Sequence, residues 1–349
     1  MHQPDENEAH RRTRNLAALV DLGFERVEEP LTTESVAVGP RLWRVSQSVP
    51  AMGTIVMVSI LDTDEDRAAQ VIDAALAEMR RVVDLLNRFD DASALGVLNA
   101  EGRLADAPDE LLDVMHRARG VHLLSRGAFD ITVTPVIDLF RGHRDSGQFG
   151  LPDATALVAA QRRVQAAGIA IDGRQVHLHD GVEITLDGIA KGYVVDRMAA
   201  VLEAHGARGY LVNGGGDIRT GGTRDGVQPW RVGVCDPEQT DAELDVLPLT
   251  DGAVATSGSY EIYFDRERTR HHIVTAAGVS PGECLGVTVR AATAMLADAL
   301  ATAAFVAGPT AGIRLVESVP GCSCLVVDAH GAQHSSSSWL PGGSHRGAP

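Results

Sequence analysis

The clearest periodicity in the chain is helical. In "DEDRAAQVIDAALAEMRRVVDLLNRF", Val71, Ala75, Met79, Val82 and Leu86 recur at three- and four-residue intervals, which predicts a long helix burying one face. "DELLDVMHRARGVHLLSRG" reads as a second helix that closes at a glycine-type cap. "IAKGYVVDRMAAVLEAHG" reads as a third. "AMLADALATAAFVAG" is apolar almost all round and predicts a buried helix.

Between them lie strand-type runs. "RVSQSVPAMGTIVMVSIL" gives two, set around a proline and a glycine, and "VEITLDG", "ARGYLVNGG", "WRVGVCD" and "LGVTVRA" give one each. In "GAFDITVTPVIDLF", Asp130 precedes β-branched residues that predict a strand broken by the proline. Strands and helices mix without a regular βαβ repeat or any internal repeat, so the expected class is α+β, not a doubly wound sheet. The ends differ from the body. Residues 1–43 read as an appended arm, with "HRRTRNLAALVDLGF" forming one short helix to Gly23 and "EEPLTTES" a linker. Residues 44–330 read as the main domain and 331–349 as a low-complexity, mobile tail containing "HSSSSWLPGG".

Composition narrows the function classes. The chain has 349 residues, 44% hydrophobic and 22% charged, enough for one large or two intimately joined units. A formal net charge of -16 argues against a nucleic-acid partner, which calls for a basic patch. An anionic ligand needs local cations or backbone amides to overcome that field. The four cysteines show no paired C-x-x-C spacing, and no run approaches eighteen uninterrupted apolar residues. The polar start has no signal-peptide core and no lipid-attachment cysteine, so a cytoplasmic location with no membrane anchor is expected.

Several residues stand out chemically. Asp298 lies within an apolar helix, with Thr302 one turn further on and on the same face. A carboxylate that faces an interior must be paired, hydrogen-bonded or bound to a metal, and a half-exposed surface position is the alternative. Lys191 falls in the first turn of a helix, where the dipole disfavours a cation unless an anion shares the place. "YLVNGGGDIRTGG" carries three glycines before Asp217, which suit either a ligand cradle or a tight turn. His271 and His272 follow small residues within a hairpin's length, and His272 is a candidate general base. Phe129 beside Asp130 could cover a planar ligand or fill the core. Oxygen donors of this kind favour Mg²⁺ over zinc, and Mg²⁺ held by one or two carboxylates completes its shell with phosphate and water. The residues alone therefore suggest Mg²⁺-dependent chemistry on a phosphate-containing ligand.

The ordered segments "AMGTIVMVSI", "NRFDDASALGVLN", "GAFDITVTPVIDLF", "LDGIAKGYVVDRMA", "YLVNGGGDIRTGG", "AVATSGSYEIYF", "HHIV" and "TAMLADALATAAFVAG" resemble the ApbE family of flavin transferases. The resemblance spans about residues 44–328. It implies a T-fold-like arrangement of mixed sheets with packed helices in two joined subdomains. It also implies an enzyme that uses FAD and Mg²⁺, moves FMN onto a threonine or serine hydroxyl of an acceptor protein through a phosphoester, and releases AMP. By the same resemblance, Asp298, Thr302 and the carbonyl of Gly188 would bind the metal. Met52, Phe89, Ala128, Phe129, Asp130, Lys191 and Ile273 would line the FAD site, and His272 would be the base. One departure is that the family's "H-I-I-D-P-x-T-G" reads "HIVTAAG" here, one residue shorter. FAD hydrolysis to FMN and AMP, and FAD binding without turnover, remain the alternatives.

Overall fold

The computed structural model describes residues 32–148, 151–239, 242–260, 263–265 and 270–342. Strands β1 (Thr32–Gly39), β2 (Leu42–Ala51) and β3 (Thr54–Asp62) make an antiparallel meander. Helix α1 (Glu65–Leu86) follows, capped by the Asp64 carboxylate, which accepts the N–H groups of Asp66 and Arg67. Then come α2 (Ala94–Glu101), β4 (Arg103–Leu104), α3 (Asp109–Leu124), a 3₁₀ turn at Ile131–Val133, α4 (Thr134–Asp145), α5 (Ala154–Gln161), β5 (Ile169–Asp172) and β6 (Gln175–Leu178). The second half holds α6 (Ala190–Ala204), β7 (Gly209–Gly214), β8 (Ile218–Gly222), β9 (Trp230–Cys235), β10 (Glu243–Leu249), β11 (Gly252–Gly258), β12 (Cys284–Ala291), α7 (Ala294–Ala307), α8 (Pro309–Glu317), β13 (Ser323–Asp328) and β14 (Gln333–Ser335).

One antiparallel sheet, in the order β1-β2-β3-β7-β8-β11-β12-β13-β14, runs through both halves. Its alternation sets two layers. Val56, Val58 and Ile60 of β3 point to the helical side, where they join the main core with Val71, Ala75, Met79, Val82 and Leu86 of α1. Ala255, Val287 and Val289 face α7 on the same side, in a second cluster with Leu300, Ala304 and Phe305. Val254, on the opposite face of β11, packs with Val232 and Leu247 of the β9–β10 ribbon. The expected α+β class, with helices packed on sheets, is what forms, but the sheets are antiparallel where mixed ones were expected, because every paired strand runs against its neighbour.

Several local expectations are corrected. The expected linker "EEPLTTES" belongs from Thr32 onward to β1, where Thr32 pairs with Ser48 of β2; β-branched Thr32, Thr33 and Val36 suit an edge strand. The helix expected to end at Gly23 lies outside the described residues. The tail is not uniformly loose: Trp339 is buried, its indole N–H donates to Asp245 Oδ2 (3.1 Å), and Gly342 N–H donates to Asp245 Oδ1 (2.9 Å). A buried carboxylate thus gains the partners it requires.

"VEITLDG" is irregular and belongs to no sheet, with a turn at its end. Its backbone groups bond to distant segments that are not strands: Ile184 N–H donates to Asn99 Oδ1, Asn99 Nδ2 donates to Ile184 O (both 2.8 Å), and Thr185 N–H donates to Ile131 O. "FDITVTPV" forms no strand: after Asp130 come a 3₁₀ turn and then α4 from Thr134. Asp130 caps the 3₁₀ turn by accepting Thr132 N–H (2.8 Å), and Pro135 opens α4, where its missing N–H costs nothing.

Candidate active site

The site is built where three connections meet on the helical side of the sheet. The β2–β3 hairpin turns in two residues, Met52 and Gly53, both with positive φ (53° and 70°). A type I′ turn needs that geometry, and a methionine holds it only at a cost. Met52 is half-buried against the core, and its Cε lies 3.5 Å from where a Cβ on Gly214 would stand. Gly214 ends β7 and opens the glycine turn. The N–H groups of Gly215 and Gly216 both donate to Asn213 Oδ1 (2.9 Å), so this segment is a closed turn with those two amides already bonded.

The turn delivers Asp217, 2% exposed, to Lys191 in the first turn of α6, with Lys191 Nζ 3.2 Å from Asp217 Oδ2. One residue on, Gly192 lies against the start of α7: a Cβ there would overlap the Ala294 carbonyl. That close approach lets Gly192 N–H donate to Asp298 Oδ2 (3.1 Å). Asp196, from the next turn of α6, accepts the N–H groups of Ala294 and Met295 (2.8 and 2.9 Å), capping α7. Burial raises the pKa of that Asp196 carboxyl above the ordinary value, against the pull of the two amides.

Asp298 is 5% exposed, so the half-exposed alternative is set aside. Thr302, one turn along α7, has its Oγ1 3.2 Å from Ser257 Oγ on β11. A Cβ on Gly188 would lie 3.0 Å from Thr302 Oγ1 and 3.3 Å from the Phe129 ring. Gly188, Thr302 and Phe129 therefore share one small space. Asp298, Thr302 and the Gly188 main chain offer only oxygen donors, a set that suits a hard divalent cation. Among the described residues there is no cluster of three or more His, Cys, Asp or Glu side chains that could hold a metal, as a zinc site would require.

Phe129 is buried, and its carbonyl bonds His122 Nδ1 (2.8 Å); Ala128 precedes it in the α3–α4 loop, and Asp130 Oδ2 lies 3.7 Å from the same imidazole nitrogen. Phe89 follows α1 and is 48% exposed, with the Arg88 and Arg141 guanidinium carbons 4.3 and 4.8 Å from its ring centroid. Arg88 is itself paired with Asp138 (2.9 Å) and Asp187 (3.5 Å), the residue before Gly188, which links Phe89 to the rest. Ile273 is buried with Ala301 and Phe305 of α7, and His272, half-buried, precedes it.

Sequence reasoning missed three elements. Ser257 sat in a stretch noted only for small residues. Asp217 was noted after the glycines but not as the partner of Lys191. The Arg88–Asp138–Asp187 group has no local signal, since its members come from three distant segments.

The profile of the ApbE family matches residues 52–326. The FAD:protein FMN transferase of Treponema pallidum (strain Nichols) is 30% identical over 320 residues, covering 82% of this chain and 85% of that protein. That of Klebsiella pneumoniae (strain 342) is 29% identical over 276 residues, 76% and 79% of the two chains. Among solved structures, the ApbE protein of Thermotoga maritima aligns with a TM-score of 0.77 at 28% identity, covering 88% of this chain and 97% of that one. The flavin transferase ApbE from Vibrio cholerae gives 0.71 at 26% identity, with 88% and 98% covered. With the profile spanning both the glycine turn and the Asp298 helix, and the fold shared over nearly the full length of these structures, the chain belongs to the ApbE family.

Proposed function

We propose that this protein transfers FMN from FAD to a threonine or serine hydroxyl of an acceptor protein, in a Mg²⁺-dependent reaction that forms a phosphoester and releases AMP. The observation that carries the reading is the buried Asp298, with half-buried Thr302 one turn on against Gly188, beside the Lys191 end of α6. The names of the relatives, FAD:protein FMN transferase, support the substrate and the group transferred.

Asp298, Thr302 and the Gly188 carbonyl would hold Mg²⁺. When bound, the ion supplies positive charge against the FAD diphosphate and its departing AMP. Lys191 adds a second positive charge in a protein of net charge -16. Asp217 holds that ammonium on the site side of the turn. Met52 and Phe89 offer apolar surface to the flavin and adenine rings, the buried Phe129 ring backs the space at Gly188, and Ala128, Asp130 and Ile273 complete the wall. His272 takes the proton of the acceptor hydroxyl as its oxygen attacks the FMN phosphorus; the bond from that phosphorus to the AMP oxygen breaks.

The test is to incubate the protein with FAD, Mg²⁺ and a flavin-acceptor domain. The reading predicts a fluorescent acceptor band under denaturing conditions and one AMP per flavin attached. AMP release without flavin attachment would make the protein an FAD pyrophosphatase, and FAD binding without AMP release would make it a binding protein.

A further inference from the structure

Next to the proposed base lies a second histidine with no role in that reaction. His271 is 3% exposed and is held on three sides. Its Nε2 lies 3.0 Å from Pro281 O, and a carbonyl can only accept, so Nε2 carries the proton. Its ring meets Phe305 of α7 edge-on, with centroids 5.3 Å apart. Its main chain is clamped by one hydroxyl: His271 N–H donates to Ser280 Oγ (3.1 Å), and Ser280 Oγ donates to His271 O (2.9 Å). With Nε2 protonated, Nδ1 is a bare acceptor, buried and without a hydrogen-bond partner among the described residues. A polar atom in that state costs free energy that a leucine or phenylalanine would avoid. The imidazole is therefore not explained by packing alone.

The site needs the segment held in this way. "HIVTAAG" forms a short turn in which Gly278 N–H donates to Thr275 O (2.8 Å) and Val279 N–H to Thr275 Oγ1 (3.2 Å). His271, just before the turn, meets Phe305 of α7, and Ile273 within it joins the cluster that includes Ala301 and Phe305. The rings of His271 and His272 stand 6.4 Å apart at 71°. Burial keeps the first imidazole neutral, with its pKa lowered, so it adds no like charge next to a neighbour that must accept a proton.

We infer that His271 is a positioning residue: its hydrogen bond to Pro281 and its edge contact with Phe305 fix the main chain that carries His272 at the site. The inference rests on the proposed role of His272 as base.

The experiment compares His271→Phe, which keeps an aromatic ring beside Phe305 but loses the donor, with His271→Gln, whose amide N–H can reach Pro281 O. Three quantities are read on the full chain: FAD affinity by flavin fluorescence, the single-turnover rate of AMP release with saturating acceptor, and the His272 ring signal by NMR without substrate. Expected for His271→Phe is a rate about tenfold or more lower, since small misplacements of a reacting group are costly, with FAD affinity unchanged and a displaced His272 signal. His271→Gln should recover both rate and signal. Ser280→Ala, which loosens only the main-chain clamp, should lower the rate in the same direction and serves where His271→Phe does not fold. The inference is overturned if His271→Phe matches the wild type, if His271→Gln is as slow as His271→Phe, or if Ser280→Ala leaves both the rate and the His272 signal unchanged. Should the wild type itself release no AMP, the proposed function fails, and the NMR signal alone decides the positioning claim.

Discussion

Gly192 donates its backbone N–H to Asp298 Oδ2 at 3.1 Å, so the first turn of α6 and the buried carboxylate of α7 form one unit. A Cβ at residue 192 would run into the Ala294 carbonyl, which is backbone and cannot step aside. Gly192→Ala should therefore cost about 3 kcal/mol of stability and part the two helices, measured by urea unfolding. Asp298→Ala should abolish Mg²⁺-dependent activity while the far-ultraviolet dichroism stays that of the wild type; retained activity would remove Asp298 from the metal set.

Gly188 offers the complementary test, because its φ is ordinary and only space is at stake. An added methyl would stand 3.0 Å from Thr302 Oγ1 and 3.3 Å from Phe129. Gly188→Ala should change stability by about 1 kcal/mol yet depress activity far more, since it fills the space where the proposed ion sits. Assaying turnover and melting temperature together separates the two effects.

How much of this was legible in the sequence depends on the range of the interaction. The α1 stripe was readable because one face of an isolated helix meets one core, so Val71 through Leu86 mark it directly. Asp298 and Thr302 were readable because their relation is also local, one helical turn. "VEITLDG" misled because its apolar run is real but its hydrogen-bond partners, Asn99 and Ile131, lie on other segments and are not strands. "FDITVTPV" misled because β-branched propensity was outweighed by the Asp130 cap and the proline behind it. The ion pair of Lys191 with Asp217 joins residues 26 positions apart across a turn, and nothing in spacing announces it.

That pair yields a further prediction. Lys191→Met leaves Asp217, 2% exposed, without its ammonium partner and should cost about 3 kcal/mol. Adding Asp217→Asn should restore most of the stability by removing the buried charge. FAD affinity should stay about tenfold or more below the wild type in both variants, since a charged contact to phosphate is lost in both. Fluorescence titration alongside thermal melts reads the two outcomes.

Met52 carries a left-handed backbone at the hairpin, a conformation that asparagine tolerates better. Met52→Asn should gain about 1 kcal/mol of stability while weakening FAD binding, because the side chain beside Gly214 is lost. A gain in both would mean that Met52 does not touch the ligand.

Acid stability should report on Glu78, which ties α1 to α6. It accepts from Arg81 (2.8 Å) and Arg197 (2.8 Å), and the hydrogen bond from Arg81 is the first cause of a pKa lowered from 4.5 to about 2. A depressed carboxylate contributes stability that is complete above its unfolded value and lost as pH falls through the folded one. The stability gap between wild type and Glu78→Gln should therefore be constant at neutral pH and close between about pH 4.5 and about 2. Urea midpoints across that window measure it.

The central claim is that hard oxygen donors on α7 let this acidic protein take up a dinucleotide's diphosphate through magnesium. Calorimetric titration of FAD into the wild type and Asp298→Asn, each with Mg²⁺ or with EDTA, tests it most directly. The account predicts firm binding by the wild type with Mg²⁺, and binding weaker by about tenfold or more in the other three mixtures. Equal affinity in all four would contradict it.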